Sequence, residues 1–599
     1  MMRNTIVDMV FANAQKQGQQ TAMTFAHGER WHSLTWHDYA ESAKAFGAAL
    51  LTLNYEPGWG VGILGNNRPE WLMTHIGSMS VRALPTGIYQ TSTPSQIAYI
   101  LNHSEARVVV IDTLEQWTKI SSCLDELPLL KKVVVMEPIE SAPDPMVITW
   151  AEFLTLGATH SDAFTERFES LQSDDLATLI YTSGTTGPPK GVMLSHHNLS
   201  WTARQTRRAI GGEVSSEDGV VSYLPLSHIA EQMFSIYLAA AYGYPICFAP
   251  SMEQLKETLL EARPTLFLAV PRVWEKFKAA LELQLDGLTG FKKSLVAWAR
   301  AVGARTGNDI INHGRPRGLD RLQFALADRL FYRPLRAKLG LDELKVAVTG
   351  AAPIGKEVLD FFVSCGIIIH EVYGQSEDTG PTSFNQPFAG ERRLGTVGRP
   401  FPGVDVRLAD DGEILVRGPN VFQGYYKDEA ATQATLVDGW LHSGDIGTFD
   451  QDGFLRITDR KKDLIITAGG KNVAPQNLEK RLRAIDGIAQ AVVIGDRRKY
   501  LTALLTVCPE RGPRLAEENS WPVNPQDMVQ DQRFEAYVQD AIEQTVNEDL
   551  ARYEQIKKFT LLPEDFSQEA GELTPTQKLK RNVIIPKHES IIDAMYPPN

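Results

Sequence analysis

The segment YTSGTTGPPKG, from Tyr181 to Gly191, constrains this chain more than any other. Gly184 and Gly187 weaken any helix or strand through them, and Pro188 and Pro189 cannot donate backbone hydrogen bonds. Such a run forms a loop. Its chemistry suits polyphosphate: glycines let backbone N–H groups approach oxygens, hydroxyls add donors, and Lys190 supplies a cation. The placement agrees, because the loop follows the apolar, strand-like LATLIY (Leu176 to Tyr181) and leads to a helix-like segment from Ser195. It is not a Walker A loop, which needs G-x-x-x-x-G-K-[ST]. Here two prolines separate Gly187 from Lys190, and Gly191 follows.

A chain of 599 residues is too long for one core and predicts two or more domains. With 43% hydrophobic and 22% charged residues, it has the composition of a soluble globular protein. No run approaches the ~18 apolar residues that span a bilayer. The first twenty residues lack a continuous apolar stretch, so no secretory leader is expected. Cys123, Cys247, Cys365 and Cys508 are scattered and read as thiols of a reducing compartment, which makes a cytoplasmic protein the expectation. The sequons at Asn102 and Asn198 are then chance matches. A net charge of -13 argues against nucleic acid as a general partner.

Along the chain, helical and strand patterns alternate. Tyr39, Ala43, Phe46 and Leu50 have helical spacing. VGIL (Val61 to Leu64), RVVVID (Arg107 to Asp112) and KKVVVM (Lys131 to Met136) read as buried strands. Thr93, Pro94 and Gln96 open a helix with a capping box. The predicted class is α/β, with largely parallel sheets covered by helices. Gly60, Gly62 and Gly65 fit G-x-G-x-x-G, yet they lie inside a strand and no acidic residue follows at ~20 positions, so no dinucleotide site is expected. The segments before Asp463 are rich in turns, with Ser443 to Asp445 read as a turn. A shorter α/β stretch follows, with helical sequence expected from Asp540 to Ile556. This predicts a large N-terminal domain over 1–459, a charged hinge at 460–463 and a small mobile C-terminal domain over 464–599.

Five further islands accompany the loop: TGAAP (Thr349 to Pro353), EVYGQSE (Glu371 to Glu377), SGD (Ser443 to Asp445), DRKKD with Arg460 and Lys462, and LTPTQKLKR with Lys578. Singly, each is ordinary; a Gly-Asp turn or a terminal lysine cluster is normally a solvated surface feature. In this order, from about Thr35 to Arg581, they resemble the core motifs of the adenylate-forming superfamily of acyl-CoA synthetases and luciferases.

The resemblance implies roles for these residues. Thr182, Ser183, Gly184, Thr185, Thr186, Gly187 and Lys190 match the mobile phosphate loop. Glu377, with Thr182, matches the Mg²⁺ site. Gly350, Ala351, Ala352 and Pro353, with Tyr373, Gly374, Gln375 and Ser376, match the adenine platform. Asp445 matches a ribose-binding acid and Arg460 the arginine beside it, while Lys462 falls at the hinge. Lys578 matches the lysine that bridges carboxylate and phosphate, which makes Lys578, Glu377, Lys190 and Thr182 the catalytic set. The implied co-substrates are ATP and CoA, and the implied metal is Mg²⁺. A carboxylate would attack the α-phosphate, and a thiol would then attack the acyl-adenylate. The C-terminal domain would pivot near Lys462 between the two half-reactions and bring up the Gly469–Gly470 loop for the second. Two positions depart from the pattern. Ser376 replaces a frequent threonine, and Gln577 replaces the usual glycine before the lysine, which leaves Lys580 as a competitor to Lys578.

VPRVWEKF (Val270 to Phe277), LPLSHIAEQ (Leu224 to Gln232) and ITDRKKDLIITAGGKNVAPQNLE (Ile457 to Glu479) resemble the long-chain and bubblegum-type acyl-CoA synthetases. That resemblance implies a fatty acid substrate, a gating role for Trp274 and a contact from His228 at the carboxylate end. The alternatives are a fatty acyl-AMP ligase loading a carrier protein and an inactive acyl or nucleotide sensor. A homodimer is admitted by family analogy alone. One region stands apart: 292–338 carries eleven Lys/Arg against three Asp, with Leu295, Val296, Trp298, Leu322, Phe324, Leu326, Leu330 and Phe331 among them. It is an expected contact with anionic membrane, which would make the enzyme peripheral.

Overall fold

The computed structural model describes residues 4–28, 30–138, 144–182, 188–211, 214–574 and 578–597. Its largest sheet has eight strands. In spatial order they are Gly424–Tyr425, Lys190–Ser195, Leu176–Thr182, Leu84–Ile88, Gly60–Leu64, Val108–Ile111, Lys132–Val135 and Val147–Thr149. From Leu176–Thr182 to Val147–Thr149 every pairing is parallel. The expected strands therefore form, and their unbroken Val/Ile runs suit a sheet buried on both faces. A second sheet sets Leu266–Ala269, Val346–Thr349 and Ile369–Tyr373 in parallel, with two short antiparallel strands at its edge. The chain is α/β with a large N-terminal part and a smaller C-terminal one, as expected.

The glycines of the rejected dinucleotide motif have a packing explanation. A Cβ at Gly60 would collide with Ser104 and one at Gly62 with Leu101, both at the end of the helix Pro94–His103 or beside it. They let that helix lie close on its strand. The helix itself starts with the expected capping box of Thr93 and Gln96.

The apolar clusters fall into two sets along the chain. One pair of clusters draws on residues from Ile6 to Ile457, another on residues from Ile465 to Tyr596, and they share no member. Polar contacts join the two parts. Arg272 pairs with Asp565 at 3.0 Å, and Glu275 with Arg483 at 3.6 Å. Lys480 sits against Glu371 closely enough that each shifts the other's ionisation. An interface of this kind excludes little apolar surface and separates at modest cost.

Three local expectations are corrected. Ser443 to Asp445 is not a turn; it lies inside the strand Trp440–Phe449, where Gly444 takes φ +73° at an irregularity in the pairing. Helical sequence stops at Asn547, and Ile556 opens the strand Ile556–Leu562, which pairs in parallel with Leu501–Val507. Between the glycine loop and its helix runs a strand, Lys190–Ser195, that the composition concealed. The strands that flank the loop, Leu176–Thr182 and Lys190–Ser195, pair antiparallel.

Candidate active site

The hairpin sets the first part of the site. Thr182 and Lys190 are the cross-strand partners next to the connecting loop. Ser183, Gly184, Thr185, Thr186 and Gly187, assigned to phosphate, lie outside the described residues. Lys190 stands with its ammonium 4.8 Å from the centre of the Tyr425 ring. The Tyr425 hydroxyl donates to Glu377 Oε1 at 2.8 Å. Tyr425 therefore connects the loop's cation to the carboxylate expected to hold Mg²⁺, and sequence reading missed it. Its segment looked like turns, and the only local signal was the GYY triplet beside a strand partner.

Glu377 lies within a short 3₁₀ turn, Ser376–Asp378, that comes after the strand Ile369–Tyr373. Burial raises its carboxyl above the usual range, against the Tyr425 hydrogen bond. A second missed acid fixes that turn. Asp378, wholly buried, accepts from the Gln375 backbone N–H at 2.8 Å and from the Thr382 hydroxyl. Burial pushes it up to about 8. Glu377 and Thr182 offer hard oxygens, and a half-satisfied buried carboxylate gains from a cation beside it; the donor set fits Mg²⁺ with substrate phosphates completing its shell.

The residues expected to form the adenine platform lie at the C-terminal ends of two parallel strands, where open α/β sheets bind ligands. Thr349 pairs with Glu371, which brings Gly350 beside Val372. A side chain at Gly350 would press on Val372, and one at Gly374 would strike Gly380. Ala351 adopts φ +69°, a conformation that costs a non-glycine residue and recurs at functional sites. Ala352 and Pro353 follow it in the same exposed turn.

Asp445 and Arg460 are Cα partners on the antiparallel strands Trp440–Phe449 and Leu455–Arg460. Arg460 Nε lies 3.3 Å from Asp445 Oδ1, and the Tyr373 hydroxyl donates to Asp445 Oδ2 at 2.7 Å. Burial raises the Asp445 carboxyl, and Arg460 offsets part of that. Strand register thus joins three sequence-predicted residues.

Lys578 reaches this cluster from the other apolar body. Its loop is closed by a bridge between Leu573 and Leu579, and its backbone N–H donates to Thr574 Oγ1 at 2.9 Å. Arg581 anchors the segment on buried Glu479. Burial, then Arg460, brings the Lys578 ammonium down to about 8, against the pull of Asp445 and Glu377. The same charge acts on His228, which burial has already lowered to about 3. His228 Nδ1 accepts from the Ala230 N–H at 3.2 Å, so the neutral ring carries its proton on Nε2. Lys580 instead precedes the helix Arg581–Lys587, with its N–H on Glu572 O at 2.7 Å.

Other expected residues lie elsewhere. Gly469 and Gly470 occupy an exposed hairpin tip between Ile465–Ile466 and Asn472–Val473. Lys462 is exposed in the turn that follows Arg460, while its neighbour Lys461 pairs with Asp411 and Glu413. Trp274 is 0% exposed and meets Phe267, Phe277 and Phe362 edge to face. It packs as a core side chain, although its indole N–H has no partner among the described residues.

The fold is that of the adenylate-forming enzymes. It superposes on an anthranilate CoA ligase solved with anthranoyl-AMP at TM-score 0.73, with 20% identity over 98% of both chains. It matches the adenylation domain of a carboxylate reductase from Mycobacterium chelonae at 0.75, with 20% identity over 99% of this chain and 91% of that one. The chain belongs to the AMP-binding enzyme family: the family's model matches residues 10–426, and that of the AMP-binding enzyme C-terminal domain matches 462–598. Among curated relatives, the long-chain-fatty-acid–CoA ligase ACSBG2 of Xenopus laevis is 35% identical over 99% of this chain and 84% of its own length. The long-chain-fatty-acid–CoA ligase FadD15 of Mycobacterium tuberculosis is 36% identical over 94% and 92%.

Proposed function

We infer that this chain is an AMP-forming long-chain fatty acid–CoA ligase. The observation that carries the reading is the convergence of Lys578 with Glu377, Asp445, Arg460 and His228, groups that share one electrostatic environment despite their distance in sequence. The curated relatives' names supply the acid class. In the first half-reaction a carboxylate oxygen bonds to the α-phosphorus of ATP, the bond to the β-phosphate breaks, and diphosphate leaves with the electron pair. Lys190 and Lys578 offset the charge that builds on the transferring oxygens. Asp445 and Arg460 hold the ribose, residues 350–353 and 373–376 seat the adenine, and neutral His228 offers Nε2–H to the acid. Mg²⁺, held by Glu377 and Thr182, would polarise the phosphate oxygens. In the second half-reaction the CoA thiol gives up its proton, its sulfur bonds to the acyl carbon, and AMP leaves.

Two domains, meeting at 460–463, divide these tasks in the proposal. The arrangement with Lys578 in the cluster serves adenylation, and rotation about Lys462 brings Gly469–Gly470 up for thioester formation. Trp274 borders the acyl path in this proposal. Trp274→Ala should change chain-length preference while ATP binding is kept; an unchanged preference would leave it a core residue only. The deciding assay supplies ATP, Mg²⁺, CoA and a panel of acids, with AMP and thioester followed by mass. Release of AMP with thioester formation supports the ligase. Adenylate without CoA thioester indicates a carrier-loading enzyme, and no AMP with any acid defeats the enzyme reading.

A further inference from the structure

The region 292–338 folds as a helical hairpin on the outside of the second sheet. The helix Gly290–His313 packs on Lys356–Ser364, the helix that carries Phe362 against Trp274. The chain then turns and returns along it as Gly318–Ala327, continued by Asp328–Tyr332. The inner face of this return is accounted for: Tyr332 is buried with its hydroxyl on Ala299 O at 2.5 Å, and Phe324 packs 5.3 Å from its ring.

The outer face is apolar as well. Leu319, Leu322, Leu326 and Leu330 are 79%, 70%, 50% and 45% exposed. Their spacing of three, four and four residues sets them in one row along the helix. A soluble helix with one buried face ordinarily turns polar side chains outward, so a row of four exposed leucines marks an interaction surface.

The row's charge setting names the partner. Arg329 and Arg333 neighbour Leu326 and Leu330 on the helix surface, and Arg315 and Arg317 precede Leu319. All four arginines are exposed. Arg315, Arg317, Arg321 and Arg329 join no ion pair among the described residues; Arg333 is 3.8 Å from Asp328, which already pairs with Arg336 at 2.8 Å. The segment's excess of cations stands out in a chain of net charge -13.

We propose that the face bearing Leu319, Leu322, Leu326 and Leu330 docks on an anionic lipid bilayer, with the leucines entering the acyl boundary and the arginines meeting lipid phosphates. Aliphatic side chains with a border of exposed cations match a layered partner, apolar below and anionic above. The surface argument stands apart from the ligase reading, although a bilayer would also be the source of the acid proposed above.

The test is co-sedimentation of the full chain with vesicles of phosphatidylcholine, alone or with about a third phosphatidylglycerol. We expect binding to the anionic vesicles and at least tenfold less to the neutral ones. Arg329→Gln with Arg333→Gln should weaken anionic binding about 30-fold, at ~1 kcal/mol per cation. Leu319→Gln with Leu322→Gln and Leu326→Gln should reduce it at least as much, with unfolding temperature kept because the side chains are exposed. Activation of detergent-dispersed fatty acid should be equal in all variants, which separates failure of this surface from failure of the ligase reading. Equal binding by wild type and both variants overturns the proposal. So does a wild-type dimer that the leucine variant dissolves without any vesicle binding, since the row would then be covered by a second copy.

Discussion

The two halves of the candidate site are held in different ways. Glu377, Tyr425, Tyr373, Asp445 and Arg460 are fixed by strand register and short hydrogen bonds within one apolar body. Lys578 arrives on a loop from a second body, and that body meets the first through ion pairs at Arg272 and Glu275, with Lys480 in the electrostatic field of Glu371, rather than through shared core. The first half is a preformed surface, assigned to the nucleotide in the proposal. The second is present only while the two bodies are docked in this way. In the proposed cycle, one fold offers a cation for one step and withdraws it for the next.

The comparison breaks most easily at Lys578. Lys578→Ala should lower adenylation by about 10²–10³-fold, the scale for losing one group that stabilises developing charge. Thioester formation from supplied acyl-adenylate should persist. Equal loss in both half-reactions would falsify the division of labour. Within the built half, Tyr425→Phe removes a hydrogen bond to a buried carboxylate, worth ~1.5–3 kcal/mol when one partner is charged. We expect adenylation to fall at least tenfold with a higher Mg²⁺ requirement; an unchanged Mg²⁺ dependence would separate Tyr425 from the function of Glu377.

Docking itself is probed at Asp565. Asp565→Asn breaks the pair with Arg272, and a several-fold slowing of adenylation with thioester formation spared is expected. Slowing of both steps together would mean that the pair serves stability alone. The effect of pH follows from Lys578, held near 8 by burial and Arg460. A lysine is cationic below its pKa, so kcat/KM for adenylation should be full below pH 8 and fall as pH rises through it. A profile flat from about 7 to 9.5 would remove Lys578 from the step. Lys580→Ala should change either half-reaction by less than about twofold, a surface-scale effect, because its backbone caps a helix outside the cluster.

Much of this was legible in the sequence, in specific places. Val61–Leu64, Arg107–Asp112 and Lys131–Met136 read as strands because β-branched runs admit little else, and Thr93-Pro94-x-Gln96 announced its helix through local hydrogen-bond chemistry. Gly60 and Gly62 fall in a strand, as read, with Gly65 just past its end. The failures were also local in origin. Ser443–Asp445 looked like a turn because glycine favours turns, yet its partner strands keep it within the ladder, with an irregularity at Gly444. Lys190 looked like the end of a loop because nothing nearby reveals that Leu176–Thr182 will pair with it. The apolar residues of 292–338 could be counted from sequence but not sorted: Phe331 is buried while Leu322 faces solvent.

The sequence by itself determined most of the elements, the presence of a glycine-rich loop after Leu176–Thr182 and the residue types that made nucleotide activation the expectation, because backbone preference and side-chain chemistry act within a few residues. Tertiary structure alone decided that Tyr425 joins Lys190 to Glu377, that Trp274 is wholly buried, and that Lys578 rather than Lys580 stands among Asp445, Arg460 and His228. Those relations link residues far apart in the chain. They are set by packing, sheet register and the docking of two bodies, none of which leaves a mark on the residues next door.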